Sequence, residues 1–367
     1  MDDEEAPLAR DSNSLVAAAL RDMAAAQDSA QKAWGYKRAA AAVLDLEVPI
    51  ESLRQSDGSM RKVAHIGPSS TRIILEILDH GRSAIVEAAV AASGRESDVA
   101  TRHDYRQHFL SRAEVLRALR NPRLGGPRLD QCRGDFHMHS TWSDGADSVA
   151  AMAEGCRARG HAYCAITDHS YGLAIARGVS MADLARQHDE IQALNLAAAG
   201  HFHIFKGIEA NLRADGLVDM TPEELARLDI VVASPHSALR KADDQTERMV
   251  RAVTQPGVHI LGHPRGRMYG SRPGVTADWP QVFAAAARSE VAIEIDGDPS
   301  RQDVDHTLAV YAVAAGCLFT LDSDAHGVDQ LAYAETAVAH ARLAWVPPDR
   351  VVNTWPVEQV RAWAERR

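Results

Sequence analysis

Histidine and carboxylate side chains recur after short apolar segments from residue 133 to the last third of this sequence. The first such segment, DFHMHSTWSDG, places His137 and His139 two residues apart, and Asp144 follows them. Side chains at positions i and i+2 of a strand point to the same side, so both imidazoles can reach one ion. The remaining candidate ligands follow later apolar segments: His169, Glu209, His236, His263, Asp324 and His326.

The types of these side chains restrict the chemistry. Any single histidine here could be an ordinary surface or core residue, but a shared metal site explains the whole series. Imidazole and carboxylate ligands without thiolates favour zinc, manganese or iron. Nine candidates exceed what one ion accepts, so we expect two or three divalent ions, with a carboxylate such as Glu209 as a bridge. Clustered ions stabilise the attacking and leaving oxygens of a displacement and lower the pKa of a bound water. This ligand set therefore predicts hydrolysis of a phosphoester.

The elements that position these residues alternate between strand and helix. Helix-length segments separate the strand candidates, and repeated βα units imply a parallel sheet. Seven such units favour a closed barrel, in which the carboxyl ends of all strands converge on one mouth. The candidate ligands lie at those ends. The seven strand candidates are DFHMHS, AYCAIT, HIFKGIEANL, DIVVASPH, VHILGHP, VAIEIDG and LFTLDSD.

The chain divides into segments of different composition. Residues 1–12 are acidic and are predicted to be disordered. Residues 13–95 show helical patterns rich in alanine and leucine, which predict a small helical domain. Residues 96–130 are rich in arginine and turn residues, and we interpret them as a linker with one short helix. The barrel domain is expected to occupy residues 131–367.

Composition narrows the class of protein. Apolar residues make up 46% of the chain and charged residues 25%, and the net charge is −10. These values are typical of a globular protein, and they give no global sign of a nucleic-acid or membrane surface. No apolar run is long enough to span a bilayer, and the acidic start lacks the features of a signal peptide. The four cysteines form no C-x-x-C pair, which favours reduced thiols and a cytoplasmic location.

The motifs of the barrel region resemble those of a known superfamily. DFHMHSTWSDG, ITDHS, GIEAN, SPHS, GHPRGR and DSDAH are similar, in order and spacing, to the motifs of the PHP (polymerase and histidinol phosphatase) superfamily. The resemblance covers residues 133 to about 340 and implies a distorted seven-stranded (β/α) barrel with a trinuclear metal centre. No ligand position is missing, which argues against a degenerate copy. The implied ligands are His137, His139, Glu209 and Asp324 for one ion, Glu209, His236 and His263 for the second, and Asp144, His169 and His326 for the third.

Two arginines and one aspartate are expected to support this centre. Arg265 and Arg267 follow His263, and their planar guanidinium groups could pair with phosphate oxygens. The alternative for both is an ordinary solvated loop. We expect Asp168 to orient His169 or to cap a turn rather than to bind metal.

The helical domain resembles a second family. KAWGYKRAAAAVLDL and MRKVAHIGPSSTRIILEIL are similar to the N-terminal helix-hairpin-helix domain of bacterial family X DNA polymerases, which also carry a PHP domain. In such a hairpin, glycine lets backbone amides approach a DNA phosphate. His65 stands where the family usually has glycine, and residues 1–100 carry more acidic than basic side chains, so only weak DNA binding is expected. The alternative is a packing module without a DNA role. The expected DNA contacts are Gly67, Ser69, Ser70, Lys37 and Arg72.

Three functions are consistent with this architecture. The segment between the two domains is too short for a polymerase palm, and the hairpin helix PSSTRIILEILD lacks the lysine of a Schiff-base lyase. The leading hypothesis is a metal-dependent phosphoesterase acting on nucleic acid, such as a 3′–5′ exonuclease in DNA repair. One alternative is a small-molecule phosphomonoesterase of the histidinol-phosphatase type. The other is a non-catalytic DNA-binding protein that metal ions stabilise. The sequence leaves the oligomeric state open.

Overall fold

The computed structural model describes residues 11–366, which form two units divided after Arg120. The described part of the first unit is helical, as predicted. Its helices are α1 (Ser12–Ala25), α2 (Ala30–Leu44), α3 (Pro68–His80), α4 (Ala84–Ser93), α5 (Glu96–Asp104) and α6 (Arg112–Arg120), and a short 3₁₀ helix covers Ile50–Leu53.

Local signals in the sequence set the ends of these helices. The Asp11 side chain accepts a hydrogen bond from the Ser14 N–H and caps α1. Helix α3 starts with Pro68 in the first turn and stops at Gly81, whose φ of 72° is left-handed. Residues 1–10 of the predicted acidic tail lie outside the described residues, whereas Asp11 is part of this cap. The core of the unit includes Val16, Leu20, Val43, Ile50, Ile73, Ile74 and Ile77.

The segment predicted as a linker, residues 96–130, contains two helices rather than one. Helix α5 escaped the sequence analysis because its sequence, ESDVATRHD, buries only Val99. Asp11 also accepts a hydrogen bond from the Ser111 N–H at 2.8 Å, which ties the start of α6 to the first unit. The helical unit therefore extends to Arg120.

Six parallel strands form one sheet in the described part of the second unit, in consecutive order. The helices between them give the α/β alternation that the sequence predicts. The strands are β1 (Tyr163–Ile166), β2 (His203–Asn211), β3 (Ile230–Ser234), β4 (Ile260–Leu261), β5 (Ala292–Asp296) and β6 (Leu318–Asp322). The helices are α7 (Val149–Ala158), α8 (Met181–Ala197), α9 (Pro222–Leu225), α10 (Thr246–Thr254), α11 (Trp279–Ser289), α12 (His306–Ala315), α13 (Ala334–Leu343) and α14 (Val357–Ala364).

The prediction of seven strands was wrong for the first candidate, DFHMHS, which forms no regular strand. This segment still lies between the two edges of the sheet. Ala165 donates to Asp135 O at 2.9 Å on the β1 side, and His139 donates to Ala325 O at 2.8 Å beyond β6. Between these two contacts, side chains rather than a neighbouring strand bind the backbone N–H groups of the segment. The Phe136 N–H, for example, donates to the Asp322 carboxylate. The segment thus closes the sheet without completing a ladder.

Apolar side chains fill the amino-terminal end of this barrel. Trp363 and Val360 of α14 belong to the same buried cluster as Phe136, Tyr163 and Phe205. The carboxyl ends of the strands remain for polar groups. Among residues 11–366, no helix is both long and apolar enough to cross a membrane.

Candidate metal centre

All nine predicted ligands lie together at the carboxyl ends of the strands. Seven of them form three overlapping groups. In each group, every residue offers one ligand atom, and these atoms all lie within 4.8 Å of one another. His263 and Asp324 adjoin these groups through short contacts, at 2.9 Å to Glu209 and 3.0 Å to His139. The third predicted set is present and is joined by His139. The groups are His139, Asp144, His169 and His326; His137, His139 and Glu209; and His169, Glu209 and His236.

Glu209, near the end of β2, is the centre of the cluster. Its carboxylate is buried and faces five imidazoles, as expected of a group that bridges ions. The shortest oxygen–nitrogen distances are 2.6 Å to His169, 2.9 Å to His263, 3.2 Å to His236, 3.4 Å to His137 and 3.6 Å to His139.

Buried atoms without hydrogen-bond partners test whether this donor set fits metal ions. Such atoms are costly unless something else satisfies them. The set combines imidazole nitrogens with carboxylate oxygens, which are ligands of zinc, manganese and iron. The residues therefore fit divalent metal ions. Within the described chain the unpartnered ligand atoms are His137 Nε2, His139 Nδ1, His169 Nδ1, Glu209 Oε2, His236 Nε2, His263 Nδ1 and Asp324 Oδ2.

The electrostatics of the cluster divide its histidines into two kinds. Burial lowers the pKa of His139 to about 3 and that of His263 to about 4, so both are neutral ligands at pH 7. Burial also disfavours charge on His169, but Glu209 and Asp144 outweigh it and raise its pKa to about 10. Carboxylates likewise hold the pKa of His137 well above its ordinary value. In the metal-free protein, protons on His137 and His169 take the place of metal charge.

Metal loading is therefore expected to release protons. Because burial does not outweigh the carboxylates around His137 and His169, the pKa values of both are raised, and metal must displace protons from this cluster. The apparent metal affinity should rise by about tenfold per pH unit for each displaced proton. Calorimetric titration with Zn²⁺ or Mn²⁺ in two buffers of different ionisation enthalpy would count the protons. An affinity that does not change between pH 6 and pH 8 would contradict this expectation.

Backbone geometry positions two of the predicted ligands, Asp144 and Asp324. Gly145 packs against the preceding ligand segment, since a Cβ atom there would lie 2.7 Å from the carbonyl carbon of His139. This close approach turns Asp144 back toward His139, with 4.0 Å between carboxylate and imidazole. Asp324 has a left-handed φ of 50°, an unfavourable conformation that is typical of functional sites in non-glycine residues.

Several side chains hold the ligands in place. Glu294, in the middle of β5, accepts a hydrogen bond from His137 Nδ1 at 2.6 Å, which leaves Nε2 of that ring for metal. Burial raises the pKa of Glu294 to about 7. Asp168 accepts hydrogen bonds from the Ser140 N–H at 2.8 Å and from Gln187 at 2.6 Å. Asp168 thus fixes the turn between His139 and Asp144, which is the second of its two predicted roles.

Sequence reasoning missed Glu294 because it considered only residues at the ends of strands. An acidic residue inside the otherwise apolar segment VAIEIDG was the available signal. Its buried carboxylate needs a partner, and the imidazole of His137 provides one.

Arg265 and Arg267 do not face the metal ligands as phosphate-binding groups would. Arg265 forms ion pairs with Asp303 at 2.9 Å and Asp305 at 2.5 Å. Arg267 pairs with Asp305 at 3.1 Å and donates to the Arg301 carbonyl at 2.9 Å. Buried carboxylates occupy both guanidinium groups, which indicates a structural role, and the phosphate-binding role stays a prediction.

Replacing Arg265 with methionine is expected to destabilise the protein. The change would leave Asp303 and Asp305 buried with reduced pairing, which should cost about 3–5 kcal/mol of the free energy of unfolding. Urea denaturation would measure it, with Arg213→Met, in the exposed pair with Asp215, as the control at less than about 1 kcal/mol. Normal stability with a lost affinity for phosphate would restore the direct role.

A different arginine, Arg301, reaches the cluster. Its Nη2 lies 3.3 Å from Asp324 Oδ2, and the side chain keeps 18% of its surface exposed. Burial alone would lower its pKa, but Asp324 and Asp296 reverse this and hold the pKa above its ordinary value. Arg301 thus brings a guanidinium group to the ligand cluster, and it also approaches Asp298 at 3.7 Å and Asp296 at 4.0 Å. The sequence motifs SPHS and GHPRGR do not include Arg301, because this residue lies on the loop after β5.

In the helical unit, three of the five predicted DNA contacts line one cavity. Gly67 precedes α3 and has no side chain that could cap the helix. The first backbone N–H groups of α3 therefore receive no side-chain hydrogen bond from the N-cap position. A cavity of about 450 Å³ there is lined by Gly67, Ser69 and Ser70 together with Lys32 and Tyr36. The other two predicted contacts, Lys37 and Arg72, do not line this cavity.

Comparisons with known proteins bear on both units. A helix-hairpin-helix domain family matches residues 11–83, and the PHP domain family matches residues 135–296. The DNA polymerase/3′-5′ exonuclease PolX of Bacillus subtilis is 38% identical over 239 residues, which cover 65% of this chain and 42% of that protein. The chain thus spans less than half the length of this relative.

Two further proteins are similar to part of this chain. A probable phosphatase of Serratia proteamaculans is 30% identical over 249 residues, which cover 64% of this chain and 94% of that protein. The crystal structure of a histidinol phosphate phosphatase from Lactococcus lactis, complexed with zinc, L-histidinol and phosphate, matches with a TM-score of 0.42 and 18% identity. That match covers 57% of this chain and 94% of that one.

Proposed function

Because this chain belongs to the PHP family, we propose that it is a metal-dependent phosphoesterase that hydrolyses phosphoester bonds at the 3′ ends of DNA. The observation that carries the proposal is the complete ligand set around Glu209 in a chain that also contains a helix-hairpin-helix domain. Two or three divalent ions, of zinc, manganese or iron, would be held by the nine ligands. We also propose a cytoplasmic location, which agrees with four free cysteines.

The protein's own side chains would prepare the site for this reaction. The ions would supply Lewis acidity and lower the pKa of water at the centre. Arg301 would bind a non-bridging phosphate oxygen with a guanidinium N–H, because its side chain is partly exposed beside Asp324. Glu294 would keep the His137 ring in the orientation that presents Nε2, through its 2.6 Å hydrogen bond.

Two features of the helical unit support DNA as the substrate. The cavity at Gly67 offers open backbone amides beside Lys32, which suits a phosphate group. Helix α2 contains two lysines and one arginine and no carboxylate, and its Trp34 is 62% exposed between them. Cations around an exposed aromatic ring suit a nucleic-acid backbone and its bases. The resulting affinity would be modest, since the net charge of the chain is −10.

A small-molecule phosphomonoesterase is the second candidate. It is favoured by the similarity to a probable phosphatase along 94% of that protein and by the acidic net charge of this chain. The metal chemistry would be the same. The helical unit would then have a packing role only.

Hydrolysis assays separate the two candidates. With added Mn²⁺ or Zn²⁺, we expect stepwise shortening of a 5′-labelled single-stranded oligonucleotide, and no shortening by the His137→Ala variant. p-Nitrophenyl phosphate and histidinol phosphate would be assayed in parallel. Turnover of the monoesters alone would favour the phosphomonoesterase, and a metal-loaded protein that hydrolyses neither substrate would contradict both candidates.

A further inference from the structure

The loop from Ser170 to Val179, which follows β1, is fixed firmly to the metal centre. Val179 donates a backbone hydrogen bond to the carbonyl of His169 at 2.7 Å, and Ser170 donates one to the carbonyl of Glu209 at 2.9 Å. Both acceptors belong to predicted metal ligands. The two ends of the loop pack closely at Gly178, since a Cβ atom there would lie 1.9 Å from the Ser170 carbonyl oxygen. The loop is therefore a rigid extension of the site.

The tip of this 170–179 loop presents an apolar side chain to solvent. A short 3₁₀ helix spans Ala174–Ala176, and Ile175 at its centre is 93% exposed. Within the described residues this is the largest exposed fraction of any large hydrophobic side chain, ahead of Leu196 at 74%. A single exposed apolar residue is ordinary in itself. The unusual feature of Ile175 is that its loop is hydrogen-bonded to the backbone of two predicted metal ligands.

The charge and aromatic character near the tip suit a nucleic acid. Residues 170–182 contain one arginine, Arg177, and no aspartate or glutamate, while Asp183 follows and the carboxylate of Asp219 accepts a hydrogen bond from Ser170. Arg177 ends the 3₁₀ helix with a φ of 56° and is exposed. The ring of Tyr171 is 39% exposed, and its hydroxyl donates to Glu224 at 3.0 Å, which fixes its position.

The burial of the inner metal ligands restricts how the end of a DNA duplex can reach them. The inner ligands His137, His139 and Glu209 are buried, whereas the side chains of Asp144 and His326 are 31% and 29% exposed. A phosphoester at the paired end of a duplex would have to leave its partner strand before it could reach the inner ligands. Proteins that unstack bases do so with inserted apolar side chains such as isoleucine.

We propose that Ile175 is a wedge residue, which packs against the terminal base pair of duplex DNA and separates its strands beside the metal centre. Arg177 would hold a backbone phosphate of the same end. The inference rests on the proposed function and extends it, because it adds blunt duplex ends to single strands as substrates. It makes Ile175 a specificity-determining residue without a part in hydrolysis.

A binding experiment tests the wedge without hydrolysis. A blunt duplex would carry 2-aminopurine in its 3′-terminal base pair, and the full-length protein would be kept metal-free with a chelator. We expect the wild-type protein to raise the fluorescence at least about twofold through unstacking, Ile175→Leu to retain the rise, and Ile175→Asn to lose it. Leu196→Asn, near the end of α8 in a cavity that Ala162 and His203 also line at the amino-terminal ends of β1 and β2, is the matched control and should behave as wild type.

Hydrolysis by the metal-loaded protein gives the second readout. Ile175→Asn should lower the rate on the blunt duplex about tenfold and leave the rate on a single strand within about twofold. Equal rates for wild type and Ile175→Asn on the duplex, or no fluorescence rise with wild type, would overturn the wedge and leave the proposed function intact. A fluorescence rise that depends on Ile175, with no hydrolysis of any DNA, would support the wedge and overturn the proposed function.

Discussion

Replacing Glu209 with glutamine is expected to lower phosphoester hydrolysis at least about a thousandfold, which corresponds to roughly 4 kcal/mol of activation free energy. Glutamine has nearly the same size, so the change removes charge rather than packing. The lost charge matters because one carboxylate faces five imidazoles and is the only predicted bridge between ions. Without it, the positive charges of two ions would lie close together with one carboxylate fewer to compensate them.

The measurement combines metal analysis with kinetics. Glu209→Gln should retain fewer equivalents of metal than the wild type after gel filtration, and added Mn²⁺ should not restore the rate. Glu154→Gln, which alters an exposed carboxylate on α7, is the control and should match the wild type in both. Full metal content together with wild-type turnover in Glu209→Gln would show that the cluster is not the catalytic centre.

The sequence was sufficient to predict which side chains come together, because their positions follow from a general rule. In a parallel barrel the carboxyl ends of the strands share one mouth, so residues at those ends converge whatever the details of the loops. His137, Glu209 and His263 come from three separate segments, yet their ligand atoms meet. The cofactor class followed from residue types alone. The parallel sheet and the helical first unit followed from periodicity in the same way.

The residues that support the ligands were harder to predict. Arg265 and Arg267 are next to a ligand in sequence, but their side chains point to Asp303 and Asp305, which lie on a distant loop. Such pairing depends on tertiary contacts that spacing in the sequence does not reveal. The first strand candidate failed for a related reason, because side chains rather than neighbouring strands bind its backbone donors. The positions of strand ends thus predicted which candidate ligands lie together, whereas proximity in the sequence did not predict the ion pairs.

Replacing Arg301 with methionine is expected to lower kcat/KM for phosphoester hydrolysis by about 10²–10³-fold while the metal content stays unchanged. Arg301 lies 3.3 Å from Asp324 and remains partly exposed, so its guanidinium group can turn toward a phosphate without leaving the cluster. Methionine keeps much of the length of the side chain and removes the charge. Arg301→Lys should recover part of the rate, because lysine supplies charge without the planar fork.

Kinetics and inhibition by inorganic phosphate would distinguish this role from a structural one. A group that binds phosphate should, when lost, weaken inhibition by phosphate in parallel with kcat/KM, whereas a group that only neutralises Asp324 should instead change metal content. Arg157→Met, in the exposed pair with Glu154, is the matched control. Wild-type inhibition by phosphate in Arg301→Met would contradict the assignment. Because Arg267 binds the Arg301 carbonyl at 2.9 Å, Arg267→Met should reproduce part of the kinetic loss, through displacement of this loop rather than through contact with substrate.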